Sequence, residues 1–153
     1  MKGATEMSDG YKKGFTDQTK EITVPSLEME GVIPGWLSGT LVRNGPARFH
    51  LEDKTLNHWF DGLAMLHKFD ISDGHVCYAN KFLDTPAFRA AKDGKMKYAE
   101  FATDPCRSLF KRITQIFTGS TPGANANVSI GRIAEEFVAQ TESPLPVAFD
   151  KTP

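Results

Sequence analysis

From Val24 onward the chain is built of short apolar segments separated by Gly, Pro, Asn and Asp, which predicts a β-rich protein rather than a bundle of long helices. Residues 1–23 are polar, mixed in charge and without a period of 2 or 3.6, so they read as a loose arm with little function. Residues 37–42 read as a short strand, after which Arg43-Asn44-Gly45-Pro46 is expected to turn the chain and end any pairing. The clearest element is a hairpin over 64–82, where AMLHKFD and HVCYANKF flank Ile71-Ser72-Asp73-Gly74 and Asp-Gly supplies the turn. On its return strand Val76, Tyr78 and Phe82 share one face and His75, Cys77 and Lys81 the other, so one face is core. Thr85-Pro86 followed by AFRAA predicts a short helix with Thr as N-cap and Pro in the first turn, stopped near Asp93-Gly94. Residues 97–103 read as extended. In CRSLFKRITQIF, Cys106, Leu109, Phe110, Ile113, Ile116 and Phe117 fall at helical spacing, with Arg107, Lys111 and Arg112 opposite and no acid. After a breaker run at 119–123, residues 126–130 and 136–141 read as a second strand pair turned near Gly131. The chain stops at FDKTP without a closing helix or polar tail, which reads as an interruption.

Length and composition narrow the classes. At 153 residues the expectation is one globular unit. With 18 Lys and Arg against 19 Asp and Glu, the net charge of −1 argues against a general nucleic-acid binder. Two cysteines 29 positions apart make neither a disulfide framework nor a paired-thiol zinc site, and with no signal peptide visible the cytosol is the default compartment. No apolar run approaches the roughly 18 to 20 residues of a membrane span, so contact with a membrane is expected only at its surface.

Candidate chemistry is sparse. His50, His58, His67 and His75 suggest a metal site by residue type, but no two sit three or four apart on a helix, and a four-residue turn sets His67 against Tyr78 rather than His75. There is no Gly-x-Ser-x-Gly turn, no cysteine beside a histidine at a spacing that would build a nucleophilic site, and no phosphate-cradling glycine loop. The basic amphipathic segment fits either a core helix or a helix lying in the headgroup plane of an anionic membrane, where Cys106 could take a reversible acyl chain.

Four stretches, taken in order, resemble one family: GVIPGWLSGTLVRNGP, HWFDGLAMLHKF, YAEFATDPCRSLFKR and AQTESPLPVAFDKTP. Together they resemble the amino-terminal part of the carotenoid cleavage oxygenases, over about residues 24–153. The resemblance implies an all-β-dominated fold, the first blades of a seven-bladed β-propeller with short helices. It also implies Fe(II) on the propeller axis, held by four histidines and reached by a hydrophobic tunnel. Members use it with O2 to cleave a conjugated double bond in a carotenoid, apocarotenoid or stilbene, or to isomerise a retinoid. Neutral imidazoles suit Fe(II), and aromatic walls suit a long polyene.

This sequence departs from the family in one respect. Members are several times longer, the first iron-ligating histidine would lie beyond Pro153, and none of the four histidines matches a ligand. The expectation is therefore no catalytic or metal residue in this chain, and no iron bound to it. The resemblance assigns Glu142 as the carboxylate that accepts from an iron-ligating histidine, Thr141 as the methyl crowding the open iron position, and Phe60 and Phe101 as tunnel walls. It assigns Cys106, Leu109, Phe110, Lys111, Arg112, Ile113 and Phe117 to membrane contact. The alternative is a truncated, non-catalytic module that binds membrane or an apolar ligand.

Overall fold

In a computed structural model, residues 9–52, 54–93, 125–141 and 146–150 are described. The expectations for residues 97–103, the basic segment 106–117, Phe101 and Glu142 lie outside them.

The hairpin organises the rest. Strands β3 (Leu63–Ser72) and β4 (His75–Phe82) pair antiparallel with Ser72 opposite His75, so only Asp73 and Gly74 form the loop. Both carry positive φ, 49° and 77°, as a two-residue loop matching strand twist requires. The loop is two residues rather than four, which puts His67 opposite Asn80; Tyr78 is one step diagonal. The predicted face division of the return strand holds, with Phe82 buried and His75, Cys77 and Lys81 exposed.

Strand β2 (Gly39–Arg48) lies on the other side of β3, and the two-residue β1 (Thr23–Val24) pairs with β4, giving the order β1-β4-β3-β2. Here the expected break at 43–46 is corrected: β2 runs straight through it, with Asn44 opposite Leu66 and Pro46 opposite Ala64. Two features allow this. β2 is an edge strand, where the missing proline N–H can face outward, and the ladder slips between Pro46 and Arg48.

The second sheet contains β5 (Ser129–Ile133), β6 (Glu136–Gln140) and β7 (Val147–Phe149) in that order. Its turn falls at Ala134 and Glu135, not at Gly131, which is a mid-strand residue opposite Val138. Ala134 itself takes the positive φ, 52°.

Strand β3 is buried on both faces, which accounts for its unbroken LAML start. Leu63 and Met65 pack with Ala47, Phe82 and Ala87, and Phe88 covers this cluster by stacking on Phe82 at 5.0 Å. Ala64 packs from the other face with Leu83, Ala126 and Ala139 of the second sheet. Ala87 belongs to helix α1 (Pro86–Lys92), capped as expected by the Thr85 hydroxyl, which accepts from Phe88 N at 3.0 Å.

The polar arm is not loose over residues 15–24. Asp17 Oδ1 accepts from Phe49 N at 2.7 Å, Glu21 Oε1 from Phe82 N at 3.0 Å, and Asn80 Oδ1 from Ile22 N at 2.7 Å. The Phe15 ring sits 4.8 Å from that of Phe49. Attachment through carboxylates and backbone explains why no apolar period announced it.

Gly62 precedes β3 at φ −60°, where any residue fits the backbone, yet a Cβ there would meet Phe49 Cε1 at 2.5 Å and Pro46 Cβ at 2.7 Å. Gly62→Ala should therefore lower unfolding free energy by about 1–3 kcal/mol through overpacking. Urea denaturation checks this, and an unchanged midpoint would contradict the packing described.

Candidate functional site

Residues 58–62 form the corner from which the site is built. His58 caps a single 3-10 turn, Trp59–Asp61, its Nδ1 accepting from Phe60 N at 3.3 Å. Such a turn leaves its last carbonyls without partners. Two asparagines ahead of β5 supply them. Asn125 Nδ2 donates to Gly62 O at 2.6 Å and Phe60 O at 3.3 Å, while its Oδ1 accepts from Ala64 N at 3.1 Å. Asn127 Nδ2 donates to Gly62 O at 2.8 Å and Phe60 O at 3.1 Å. Asn44 ties β2 to the same segment through Ala126 O at 2.6 Å and Ser129 O at 3.2 Å. A cavity of about 360 Å3 lies at this junction, bounded by residues 43–46, Trp59, Phe60, His67, Asn127 and Val128.

Of the expected site residues among those described, only Phe60 reaches that cavity. Phe60 is half-buried on its wall, its ring edge-on to His58 at 5.4 Å. Thr141 follows β6 and is half-buried, but does not line it. Asn44, Asn125 and Asn127 are site residues that sequence reasoning missed, because nothing local marks an asparagine whose partners lie more than 60 positions away. A second cavity, about 380 Å3, opens between the sheets against Val42, Leu66, Leu83, Val147 and Phe149.

The four histidines are separate. His67 Nδ1 is 2.7 Å from the Tyr78 hydroxyl, His50 Nδ1 is 3.2 Å from Asp17, His58 caps its turn, and His75 is exposed beside the hairpin loop. Among the described residues no three His, Cys, Asp or Glu side chains converge on a point that could hold a metal. These described residues do not fit an iron site. Among them, too, no helix is long and apolar enough to cross a membrane. Burial, then the charge of Arg43, pushes the His67 pKa below its ordinary value.

The family model described as retinal pigment epithelial membrane protein matches residues 15–152. The chain belongs to the carotenoid cleavage oxygenase family. Among its relatives, the mouse beta,beta-carotene 15,15'-dioxygenase is 36% identical over 137 residues, 84% of this chain and 24% of that protein. The carotenoid isomerooxygenase of Drosophila melanogaster is 33% identical over 155 residues, 92% of this chain and 25% of that protein. A variant of the Synechocystis apocarotenoid oxygenase superposes with a TM-score of 0.77 at 29% identity, covering 93% of this chain and 29% of that one. The cobalt-substituted form of that enzyme gives 0.75 at 28%, over 90% and 29%. This carotenoid cleavage oxygenase chain thus spans about a quarter of the length of the curated relatives it matches.

Two outcomes follow from the geometry. Asn125→Ala takes the partner from Ala64 N and leaves Gly62 O with Asn127 alone, and should lower unfolding free energy by about 1–3 kcal/mol; a thermal melt indistinguishable from wild type would show that water replaces the amide. Because the folded His67 pKa is depressed, the unfolded chain binds more protons between that value and about pH 6.5. Stability should therefore rise with pH across that window, and His67→Gln should flatten the rise. A slope unaltered by the substitution would place the titration elsewhere.

Proposed function

We propose that this chain is the amino-terminal part of a non-heme Fe(II) dioxygenase that cleaves a conjugated double bond of a carotenoid or apocarotenoid. The carrying observation is the 36% identity over 137 residues to a beta-carotene dioxygenase. The reaction divides one C=C bond and one O2 into two carbonyl products. The strands of the two antiparallel sheets among the described residues are assigned to the first blades of the seven-bladed propeller, residues 24–153, with residues 1–23 as the arm. Fe(II) belongs to the complete protein; the 153-residue chain alone is iron-free and inactive, since its four histidines match no family ligand.

Glu142 orients an iron-ligating histidine by accepting its remote N–H, which raises the ligand's basicity. Thr141, Phe60 and Phe101 shape the approach to the metal. Residues 106–117 lie on the membrane from which a lipid-soluble substrate is drawn. A second reading, a non-catalytic module holding an apolar ligand, draws support from the cavity of about 380 Å3 between the sheets, where Leu66, Val147 and Phe149 stand beside the charged Lys68, Asp84 and Arg89.

Iron analysis and product chromatography separate the two readings. The complete protein should carry iron and convert a carotenoid to aldehydes or ketones, and the 153-residue chain should do neither. Stoichiometric iron on the chain alone would overturn the assignment. In the complete protein, Glu142→Gln should weaken iron retention or turnover by about 10- to 100-fold, and an unaffected variant would remove its role.

A further inference from the structure

The arm does more than satisfy backbone N–H groups. Asp17 Oδ1 accepts from Phe49 N at 2.7 Å and from His50 N at 3.2 Å, its Oδ2 lies 3.2 Å from His50 Nδ1, and Gln18 N donates to Ala47 O at 2.7 Å. The arm is thus stitched to residues 47–50, and those bonds seat Phe15 in a triad of rings. Its ring lies 4.8 Å from Phe49 and edge-on to Trp59 at 5.7 Å, with Phe49 and Trp59 5.8 Å apart. Gly14 lies so close to the same indole that a Cβ there would stand 3.0 Å from Trp59 Cζ3. Trp59 belongs to no strand. It lines the cavity of about 360 Å3 beside Phe60, and the carbonyls of both residues accept from Asn127. The 59–61 turn is therefore gripped on two sides, by amides ahead of β5 and by rings of the arm and Phe49. Hydrogen bonds alone would fasten the arm to the sheet, whereas a ring against the indole acts on the cavity wall.

We infer that Phe15 is a positioning residue: acting through Trp59, the arm fixes the wall that Trp59 and Phe60 present to the cavity. The inference rests on the proposed oxygenase function, in which Phe60 shapes the approach to the metal, and adds the amino-terminal arm to what sets that approach. Phe15 itself touches no substrate. With its ring removed, Asp17 and Gln18 still hold the arm, but the indole loses a ring packed against it and the turn that carries Phe60 is free to shift. A wall that fits substrate and transition state less well by the same amount raises KM and leaves kcat alone.

The test uses the complete protein with β-carotene as substrate and 4-fluorophenylalanine incorporated at position 60. Phe15→Ala should raise KM by about 2- to 10-fold, the size of one aromatic pair, with kcat held within about twofold. It should also move the fluorine resonance at position 60, one residue beyond the ring that Phe15 touches, and Phe15→Tyr should restore both. A KM and a resonance that keep their wild-type values would overturn the proposal. So would a fall in kcat at constant KM, which is what losing folded protein alone produces. Gly14→Ala is the second variant should Phe15→Ala not fold: the position is exposed, and the added Cβ crowds the indole and should displace the same resonance. An unmoved resonance there would contradict the coupling. If the wild-type protein forms no cleavage product, the oxygenase reading fails, and the fluorine resonances still decide whether the arm sets the wall.

Discussion

The two sheets are joined by side-chain amides at one corner. Strand β3 starts immediately after a single 3-10 turn, so the carbonyls of Phe60 and Gly62 point away from any ladder. Asn125 and Asn127 take those carbonyls from more than 60 residues away, and Asn125 also accepts from Ala64 N. Burying carbonyls without donors would cost more than a typical net hydrogen bond contributes, so this clasp decides where the second sheet can sit. Asn44 repeats the device from β2. Ala64 and Ala126 are small and fully buried beside it, and small residues let the two backbones approach closely enough for the amides to reach.

The clasp also explains the lopsided core. With the second sheet held against one face of β3, its residues alternate between two buried environments rather than between core and water. Leu63 and Met65 meet helix α1 and the first cluster, and Ala64 meets the second sheet. The arm then touches both sides of the first sheet: Asp17 accepts from Phe49 N just past β2, Glu21 accepts from Phe82 N at the end of β4, and Ile22 N donates to Asn80 of β4. An exposed strand edge is a template for pairing with another chain, and carboxylates bonded to its N–H groups remove that template over these positions.

Local chemistry was legible and non-local chemistry was not. Asp73-Gly74 and Thr85-Pro86 act through their own backbone, so hairpin and helix were readable from a few residues. Asn44-Gly45-Pro46 has the residues of a turn but is held extended by pairing with β3, a tertiary override of local preference. Ala134 at positive φ carries no sequence mark, so the turn was placed at the nearest glycine instead. β7 went unread because three residues between prolines show too little alternation, although they pair with β6 from Phe137 to Ala139. The asparagine clasp was invisible for a different reason: an isolated asparagine looks like a loop residue until its partner, some 60 positions distant, is in place.

The same distinction separates what this chain identifies from what it can do. Family membership rests on a match over residues 15–152, a span that includes RNGP in β2 and FDG at the 3-10 turn. A metal centre instead needs ligands that converge from distant parts of a chain, and this one spans about a quarter of its relatives. Three of its four histidines are held by other partners: His67 by Tyr78, His50 by Asp17 and His58 by its own turn. Each therefore serves the scaffold that positions a site. The corner at Phe60 is where scaffold and proposed site meet, since one turn presents an aromatic ring to the cavity while its carbonyls hold the sheets together. A substitution at that turn would therefore change the cavity wall and the joint between the sheets together.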